Sequence, residues 1–220
     1  ANLSVTNNRT TAGTFAIDRL GSVAVRTLTP ITGASWADTL ADSTKVASST
    51  GISISGGAAT LAGPPFATYG ELRSIAFGPS RLANWKSVSW TANVPAGTTL
   101  RIFVVDPATG ALIPDSALSG NSAGFTVAPL DISSLSTTTY PALAVDALFG
   151  SSDTAATPSL DTYAATYDVG PTPVSSLPFS VRGAKTIGSG PSGTLYKYTQ
   201  SFTTNADGAY AVPNLEWDTY

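Results

Sequence analysis

The sequence predicts an all-β protein, because short segments of alternating apolar and polar residues are separated by turns. The chain has 220 residues, among them 20 glycines and 15 prolines that punctuate these segments. No interior segment keeps a convincing helical period, and residues 84–106 have the pattern of two long strands. Together these observations indicate a β-sandwich or a β-barrel.

The stretch 84–106 predicts the core of this fold. Trp85 and Val88 differ in parity, but from Val88 onward the apolar period is two, as in a half-buried strand. Residues 94–98, VPAGT, predict a tight turn, since proline fixes φ and glycine accepts a positive φ. Residues 100–105 form a nearly continuous apolar run, which predicts a second strand buried on both faces.

Residues 1–35 form an N-terminal segment whose structure the sequence leaves open between helix and strand. Apolar residues within 11–28 fall at helical spacing, yet part of the same stretch alternates like a strand. Two glycines in it weaken a helix, and Pro30 and Gly33 end whichever element forms.

Further β-structure is predicted between this segment and residue 168. The predicted elements are a hairpin at 52–61 turning on Gly56 and Gly57, and strands at 71–77, 140–149 and 160–168. In the strand at 71–77 we expect Leu72 and either Ile75 or Phe77 to point inward. Residues 107–140 predict a long connection with one short strand at 125–127.

The composition favours an extracellular or cell-surface protein. Only 11% of the residues are charged, against about 25% in an ordinary domain, and the formal net charge is -3. A surface rich in hydroxyl groups suits extracellular proteins and proteins that pack against copies of themselves. Lysine and arginine are scattered singly, which argues against nucleic acid as a partner, and no apolar run predicts a membrane span. Asn2 and Asn8 begin tripeptides that fit the glycosylation sequon, a pattern that chance also produces.

The sequence contains no histidine and no cysteine, which excludes most metal and nucleophile chemistry. Histidine-based and cysteine-based catalytic systems, their zinc sites and disulfides are all ruled out. A structural calcium site needs only oxygen ligands, and the pairs Asp38 with Asp42 and Asp153 with Asp161 offer carboxylates. Turn-forming aspartate explains the same pattern, so we predict no catalytic residue and no cofactor, with calcium as the alternative.

Several motifs resemble a known domain type. They are VPAGT at 94–98, DISSL at 131–135, YPAL at 140–143 and TPSLD at 157–161, together with Trp85 and Trp90. This series resembles the jelly-roll domains of large bacterial surface proteins, which are similar to non-catalytic carbohydrate-binding or discoidin-like modules. The resemblance covers residues 36–168 and implies a jelly-roll sandwich there.

A second module is predicted beyond a proline-rich linker at 169–178. Residues 179–220 carry an Asp-Gly turn, an aromatic strand and the sequence LEWDTY, and they resemble a carboxypeptidase-regulatory-like, transthyretin-type β-sandwich. The form of LEWDTY is also similar to C-terminal modules of bacterial pilin-like surface proteins. The family has glycine in place of Asp218 and continues with a last strand beyond Tyr220. That implies an incomplete sandwich whose last strand was trimmed, lies disordered or comes from a neighbouring subunit.

Two aromatic residues are the candidate ligand platforms, because flat rings stack on the apolar face of a sugar. Trp36 lies in a predicted loop with alanine and aspartate next along the chain, and Tyr69 follows the loop sequence GPPFAT. Trp85 and Trp90 are expected in the core instead, as is usual for tryptophan in a β-sandwich.

These observations predict a non-enzymatic extracellular protein with a structural or adhesive role. It would be a subunit of a pilus-like filament or surface layer, with copies of itself or other filament subunits as partners. The alternative is a carbohydrate-binding module that holds glycans on Trp36 and Tyr69. An enzyme ranks third, because nothing marks an apolar pocket that would raise the pKa of a carboxyl group.

Overall fold

The structure is a computed structural model that describes residues 20–216, and it confirms the all-β prediction. Within this range no helix is long and apolar enough to cross a membrane. The strands in chain order are β1 (Leu20–Arg26), β2 (Thr32–Asp38), β3 (Val46–Thr50), β4 (Ile52–Ser55), β5 (Ala58–Leu61), β6 (Tyr69–Ser74), β7 (Leu82–Asn93), β8 (Thr98–Asp106), β9 (Ala111–Leu112), β10 (Leu130–Asp131), β11 (Ala144–Ser151), β12 (Ser159–Val169), β13 (Pro178–Arg182), β14 (Thr186–Gly190), β15 (Gly193–Tyr196), β16 (Thr199–Thr203) and β17 (Ala209–Glu216).

The chain divides into two compact units. The first unit is Pro30–Pro171, and the second combines the parts of the chain on either side of it, up to Thr29 and from Thr172. The predicted sandwich at 36–168 therefore extends outward at both ends. The segment predicted as 1–35 is shared, because β1 belongs to the second unit and β2 to the first.

Two antiparallel sheets build the first unit. One has the strand order β10-β7-β12-β5-β4, with β2 also paired to β12, and the other has the order β3-β6-β11-β8-β9. Buried side chains from both sheets meet in one hydrophobic core that includes Leu72, Trp85, Ile102, Phe149 and Leu160. The sheets thus enclose a core between them as in a sandwich, while the jelly-roll connectivity stays a prediction.

The stretch 84–106 forms two long strands, but they do not pair with each other. β7 lies in one sheet and β8 in the other, so the turn between them carries the chain across the core rather than closing a hairpin. The parity break between Trp85 and Val88 is caused by a β-bulge: β7 gains one residue at Lys86 relative to β12. The bulge keeps both Trp85 and Val88 in the core, where they are almost fully buried.

The expectation that 100–105 would be buried on both faces is wrong. Along β8 the residues Leu100, Ile102 and Val104 point into the core, while Arg101 is exposed and Phe103 is half-buried. From Leu100 to Val104 the strand therefore alternates as in a sheet with one face toward the core, and it is buried on both faces only at its end, at Val104 and Val105. The neighbouring β11 is the strand with little exposure on either face, because it lies between β6 and β8.

The other predicted elements of the first unit are largely found. The hairpin at 52–61 forms as β4 and β5, with φ of 62° at Gly56 and 80° at Gly57, the conformation of a two-residue hairpin turn. Leu72 and Phe77 both lie in the core. In the long connection Phe125 makes an isolated bridge rather than a strand, and the two-residue strands β9 and β10 lie nearby.

Among residues 20–29 and 172–216, the second unit contains three two-stranded antiparallel ribbons, β1 with β17, β13 with β16, and β14 with β15. Its buried apolar side chains are Val181, Val212 and Leu215, and packed against them are Val23, Phe179, Tyr198, Phe202 and Tyr210. Much less apolar surface is enclosed here than in the first unit. The resemblance of this unit to a transthyretin-type module stays a prediction.

The first strand of the second unit comes from the N-terminal segment. Residues 20–26 form a strand and not a helix, and β1 pairs along β17 from Leu20 opposite Glu216 to Arg26 opposite Ala209. One edge of β17 is therefore covered by the chain itself. The rest of the segment, with Asn2 and Asn8, and the corner at 217–220 lie outside the described residues.

Candidate functional site

The outward face of the five-stranded sheet in the first unit carries the candidate site. Alternation along β6 points Gly70, Leu72 and Ser74 inward, so Tyr69, Glu71 and Arg73 point outward. The same alternation exposes one face of β8 and β11. We define the outer-face patch as seven residues: Tyr69, Glu71, Arg73, Phe103, Leu112, Asp146 and Leu148.

The register of three strands brings these side chains together. Across β6, β11 and β8, Glu71 lies opposite Leu148, and Arg73 lies opposite Asp146, which in turn lies opposite Phe103. Side chains directly opposite each other in a sheet are close enough to interact. Leu112 joins them from β9, which pairs with the end of β8.

Arg73 and Asp146 form a bidentate ion pair at the centre of the patch. The guanidinium Nε donates to Oδ1 of Asp146 at 2.6 Å, and Nη2 donates to Oδ2 at 2.6 Å. A third nitrogen, Nη1, donates to the carbonyl of Gly110 at 3.3 Å. The hydrogen bonds to Asp146 raise the pKa of Arg73, so the guanidinium stays charged and is held in place.

Tyr69 is the exposed aromatic residue of the patch, with 52% of its surface accessible. Its hydroxyl donates to Oε2 of Glu71 at 3.2 Å, which turns the ring along its own strand toward the depression. Desolvation and the hydrogen bond to Glu71 raise the pKa of Tyr69, so the ring stays neutral and remains a donor.

Small residues flank Tyr69 across the sheet. Gly150 lies directly opposite it on β11, and Thr99 lies beyond Gly150 on β8. A Cβ at Gly150 would come within 2.6 Å of the Thr99 Oγ1, so a larger residue here would require the threonine side chain to move. The side of the tyrosine ring toward Gly150 is therefore not covered by a large cross-strand neighbour.

The depression lined by the patch has a volume of about 180 Å³. This is below the roughly 300–1,000 Å³ of pockets that enclose drug-sized ligands. It is open on its solvent side, with Tyr69, Phe103, Leu112 and Leu148 as apolar surface and Glu71 and Asp146 as acceptors. A site of this size can hold one ring of a longer chain that lies across the strands.

Trp36, the other predicted platform, lies in strand β2 and not in a loop, and its side chain is half-buried. Its ring stacks on Phe77 with centroids 4.6 Å apart at 17°, and it contacts Tyr163 at 5.6 Å. The Lys45 ammonium lies 5.7 Å from the ring centroid. Because the protein itself uses the ring in these contacts, the structure does not bring Trp36 together with Tyr69 as a second stacking surface.

The other tryptophans and aspartates considered in the sequence analysis contact other residues of the protein. Trp85 is buried in the core, and Trp90 is half-buried against it, as expected. Asp38 accepts a hydrogen bond from the Tyr163 hydroxyl at 2.9 Å, and Asp42 accepts one from the Thr44 amide at 2.8 Å.

Asp153 and Asp161 likewise accept local hydrogen bonds, from the Ala155 amide at 2.9 Å and the Ser159 hydroxyl at 3.1 Å. Among residues 20–216 no three acidic side chains come together as a metal site. All four aspartates of the calcium alternative are thus turn or packing residues in this structure.

Most of the outer-face patch was missed from the sequence. Alternation would have placed Glu71 and Arg73 on the same face as Tyr69, but it does not reveal which strands pair with β6. The positions of Phe103, Leu112 and Asp146 depend on that pairing and register. No protein-family model, curated protein or solved structure matches the chain.

Proposed function

We propose that the protein is a non-enzymatic extracellular adhesive protein that binds glycans through the outer-face patch. The observation that carries this proposal is the Tyr69 ring, 52% exposed, beside the carboxylates of Glu71 and Asp146. A sugar ring has an apolar face that stacks on an aromatic ring and hydroxyl groups that donate to carboxylates. The patch offers both kinds of contact within one depression.

The expected affinity is modest, because the site is shallow and open. One stacked ring contributes about 1–2 kcal/mol and each of two or three hydrogen bonds about 1 kcal/mol, and the cost of ordering the glycan is subtracted from this sum. A dissociation constant near the millimolar range is therefore expected for a single site. Modest affinity suits adhesion, in which many copies act together on one surface.

Affinity electrophoresis in gels that contain soluble neutral polysaccharides tests this proposal. We expect Tyr69→Ala to weaken retardation by about tenfold, because the loss of a stacked ring removes about 1–2 kcal/mol. Val127→Ala is the matched control, since Val127 is 76% exposed in the same unit but outside the patch. If no polysaccharide retards the unaltered protein, the glycan proposal is wrong.

A second candidate function, a subunit of a filament or surface layer, is supported by the ribbon of β14 and β15. This ribbon carries Ile187 at 67% exposure and Leu195 at 49%, and neither contributes to the core of its unit. Exposed apolar side chains on a two-stranded ribbon are typical of a contact between copies. The filament proposal includes two topologies that the sequence resembles, a jelly-roll for residues 36–168 and a transthyretin-type sandwich for residues 179–220.

Self-association without any glycan distinguishes the two functions. If copies pack through the ribbon, electron microscopy of the native protein shows filaments or sheets, and Ile187→Asp disperses them into single particles. Val127→Asp serves as the control, because it places the same charge on an exposed valine of the first unit. Single particles from the unaltered protein at high concentration would contradict the filament proposal.

A further inference from the structure

The outer-face patch carries a net negative charge. It holds two carboxylates, Glu71 and Asp146, and one guanidinium, Arg73, so one negative charge is left without a partner at neutral pH. Arg101 is on the same face beside Leu148, but its Nη1 donates to the carbonyl of Ala123 at 2.6 Å. Arg101 therefore lines a neighbouring depression rather than this one.

The hydrogen-bonding groups of the patch are mainly acceptors. Three nitrogens of Arg73 are already bound to Asp146 and the Gly110 carbonyl, and the Tyr69 hydroxyl donates to Glu71. A carboxylate can accept about four hydrogen bonds, so Glu71 keeps capacity after binding Tyr69. The patch therefore favours a ligand that donates hydrogen bonds. A ligand with many acceptors would find few donors in the patch that are not already in use.

The tyrosine in the patch also responds to this negative potential. The charges of Glu71 and Asp146 contribute to the raised pKa of Tyr69, in addition to desolvation and the hydrogen bond. The same negative potential would stabilise a cation bound in the depression. Charge complementarity therefore points to one class of sugar.

We infer that the outer-face patch selects glycans with cationic amino-sugar units over neutral glycans, and neutral glycans over carboxylated ones. This inference rests on the proposed glycan-binding function and adds the chemical class of its ligand. The ammonium group of the sugar would be placed at the Glu71 carboxylate while the sugar ring stacks on Tyr69. A uronic acid in the same position would meet an unpaired like charge.

Titration calorimetry with three matched tetramers tests the selection. The probes are β-1,4-linked tetramers of glucosamine, glucose and glucuronic acid, which share their linkage and differ in charge. The titrations are run at about pH 5.5, where most glucosamine amines are protonated. We expect the amine to bind about twofold to fivefold more tightly than glucose, the range of an exposed ion pair, and glucuronic acid to bind least.

Two variants show whether Glu71 sets this order. Glu71→Gln keeps the shape of the side chain and a hydrogen-bond acceptor, so it should bring the affinities for glucosamine and glucose tetramers within about 1.5-fold. Asp153→Asn is the control, because it removes one acidic charge from a loop outside the patch. It should leave the preference for the amine unchanged.

The outcomes separate the inference from the function on which it rests. Binding of all three tetramers with equal affinity, or tightest binding of glucuronic acid, overturns the charge selection but leaves glycan binding intact. An amine preference that survives in Glu71→Gln also overturns it, because the potential would then have another source. Failure of all three tetramers to bind contradicts both proposals together.

Discussion

The two units of the molecule are built around cores of very different size. In the first unit, two sheets enclose large and almost fully buried side chains such as Trp85, Phe149 and Tyr163. In the second, three ribbons close on Val181, Val212 and Leu215 with partly buried residues around them (Phe179, Phe202 and Tyr210 among these). Hydrophobic stabilisation grows with buried apolar area. We therefore expect the first unit to tolerate surface side chains that serve binding rather than stability, whereas the second unit has little free energy of unfolding to lose.

The largest expected effect tests the core of the first unit. Trp85 is 1% exposed, its Nε1 donates to the Tyr140 carbonyl at 2.9 Å, and it makes edge contacts with Phe77 and Tyr167. Trp85→Ala should lower the free energy of unfolding by about 3–5 kcal/mol, since it removes this packing and leaves a cavity. Denaturant unfolding followed by circular dichroism measures the change, and a loss below about 1 kcal/mol would contradict the assigned core.

A matched pair of leucines compares the two cores directly. Leu160 in the first unit and Leu215 in the second are 0% and 2% exposed, so each change to alanine removes the same buried atoms. Both should lower the free energy of unfolding by about 2–5 kcal/mol. That loss is a larger share of the stability of the smaller core, so Leu215→Ala should abolish amide protection along β17, while Leu160→Ala leaves protection in β11 measurable.

Hydrogen exchange read by mass spectrometry reports on the strands separately. The comparison between the units would be wrong if β17 kept its protection in Leu215→Ala while β11 lost its protection in Leu160→Ala. Such a result would assign the more robust core to the second unit.

The smallest effect is expected from acid, and it concerns the first unit. Local hydrogen bonds, chiefly from the side chains of Thr44, Ser122 and Lys86 and from the Ser133 amide, lower the pKa values of four aspartates there: Asp42, Asp115, Asp131 and Asp168. A pKa that is lower in the folded state gives stability that is present at neutral pH and is lost as the pH falls below about 4.

The denaturation midpoint of the first unit should therefore fall between pH 7 and about pH 2.5. Ser122→Ala should reduce this slope, because it removes the side-chain hydrogen bond that contributes most to the lowered pKa of Asp115. A midpoint that rises on acidification would contradict this prediction.

Local patterns were sufficient to predict much of the fold. Turn glycines located the hairpin at 52–61, and two-residue periods located β7, β8, β11 and β12 within a few residues. The sequence could not predict which distant strands pair. The apolar run at 100–105 looks the same whether the neighbouring strands lie in its own sheet or across the core. Likewise, nothing in the sequence of β1 indicates that its partner is β17, at the other end of the second unit.

The candidate site was predictable only in its exposed aromatic residue. Tyr69 follows a loop with one glycine and two prolines, which predicts an exposed position, and its side chain is exposed. Trp36 looked equivalent in sequence, yet it stacks on Phe77, which is more than 40 residues away and on a different segment. The ion pair between Arg73 and Asp146 depends on β6 and β11 being neighbours, and pairing of this kind follows from tertiary structure.

Because β1 pairs with β17, the pairing can form only after β17 has been synthesised. The ribosome produces β1 first, then the whole of the first unit, and only then the strand that β1 requires. At about 5–20 residues per second, Arg26 waits roughly ten to forty seconds for Ala209 to be synthesised. During this interval the first unit can fold, while β1 presents an unpaired edge that a chaperone or another nascent chain can capture.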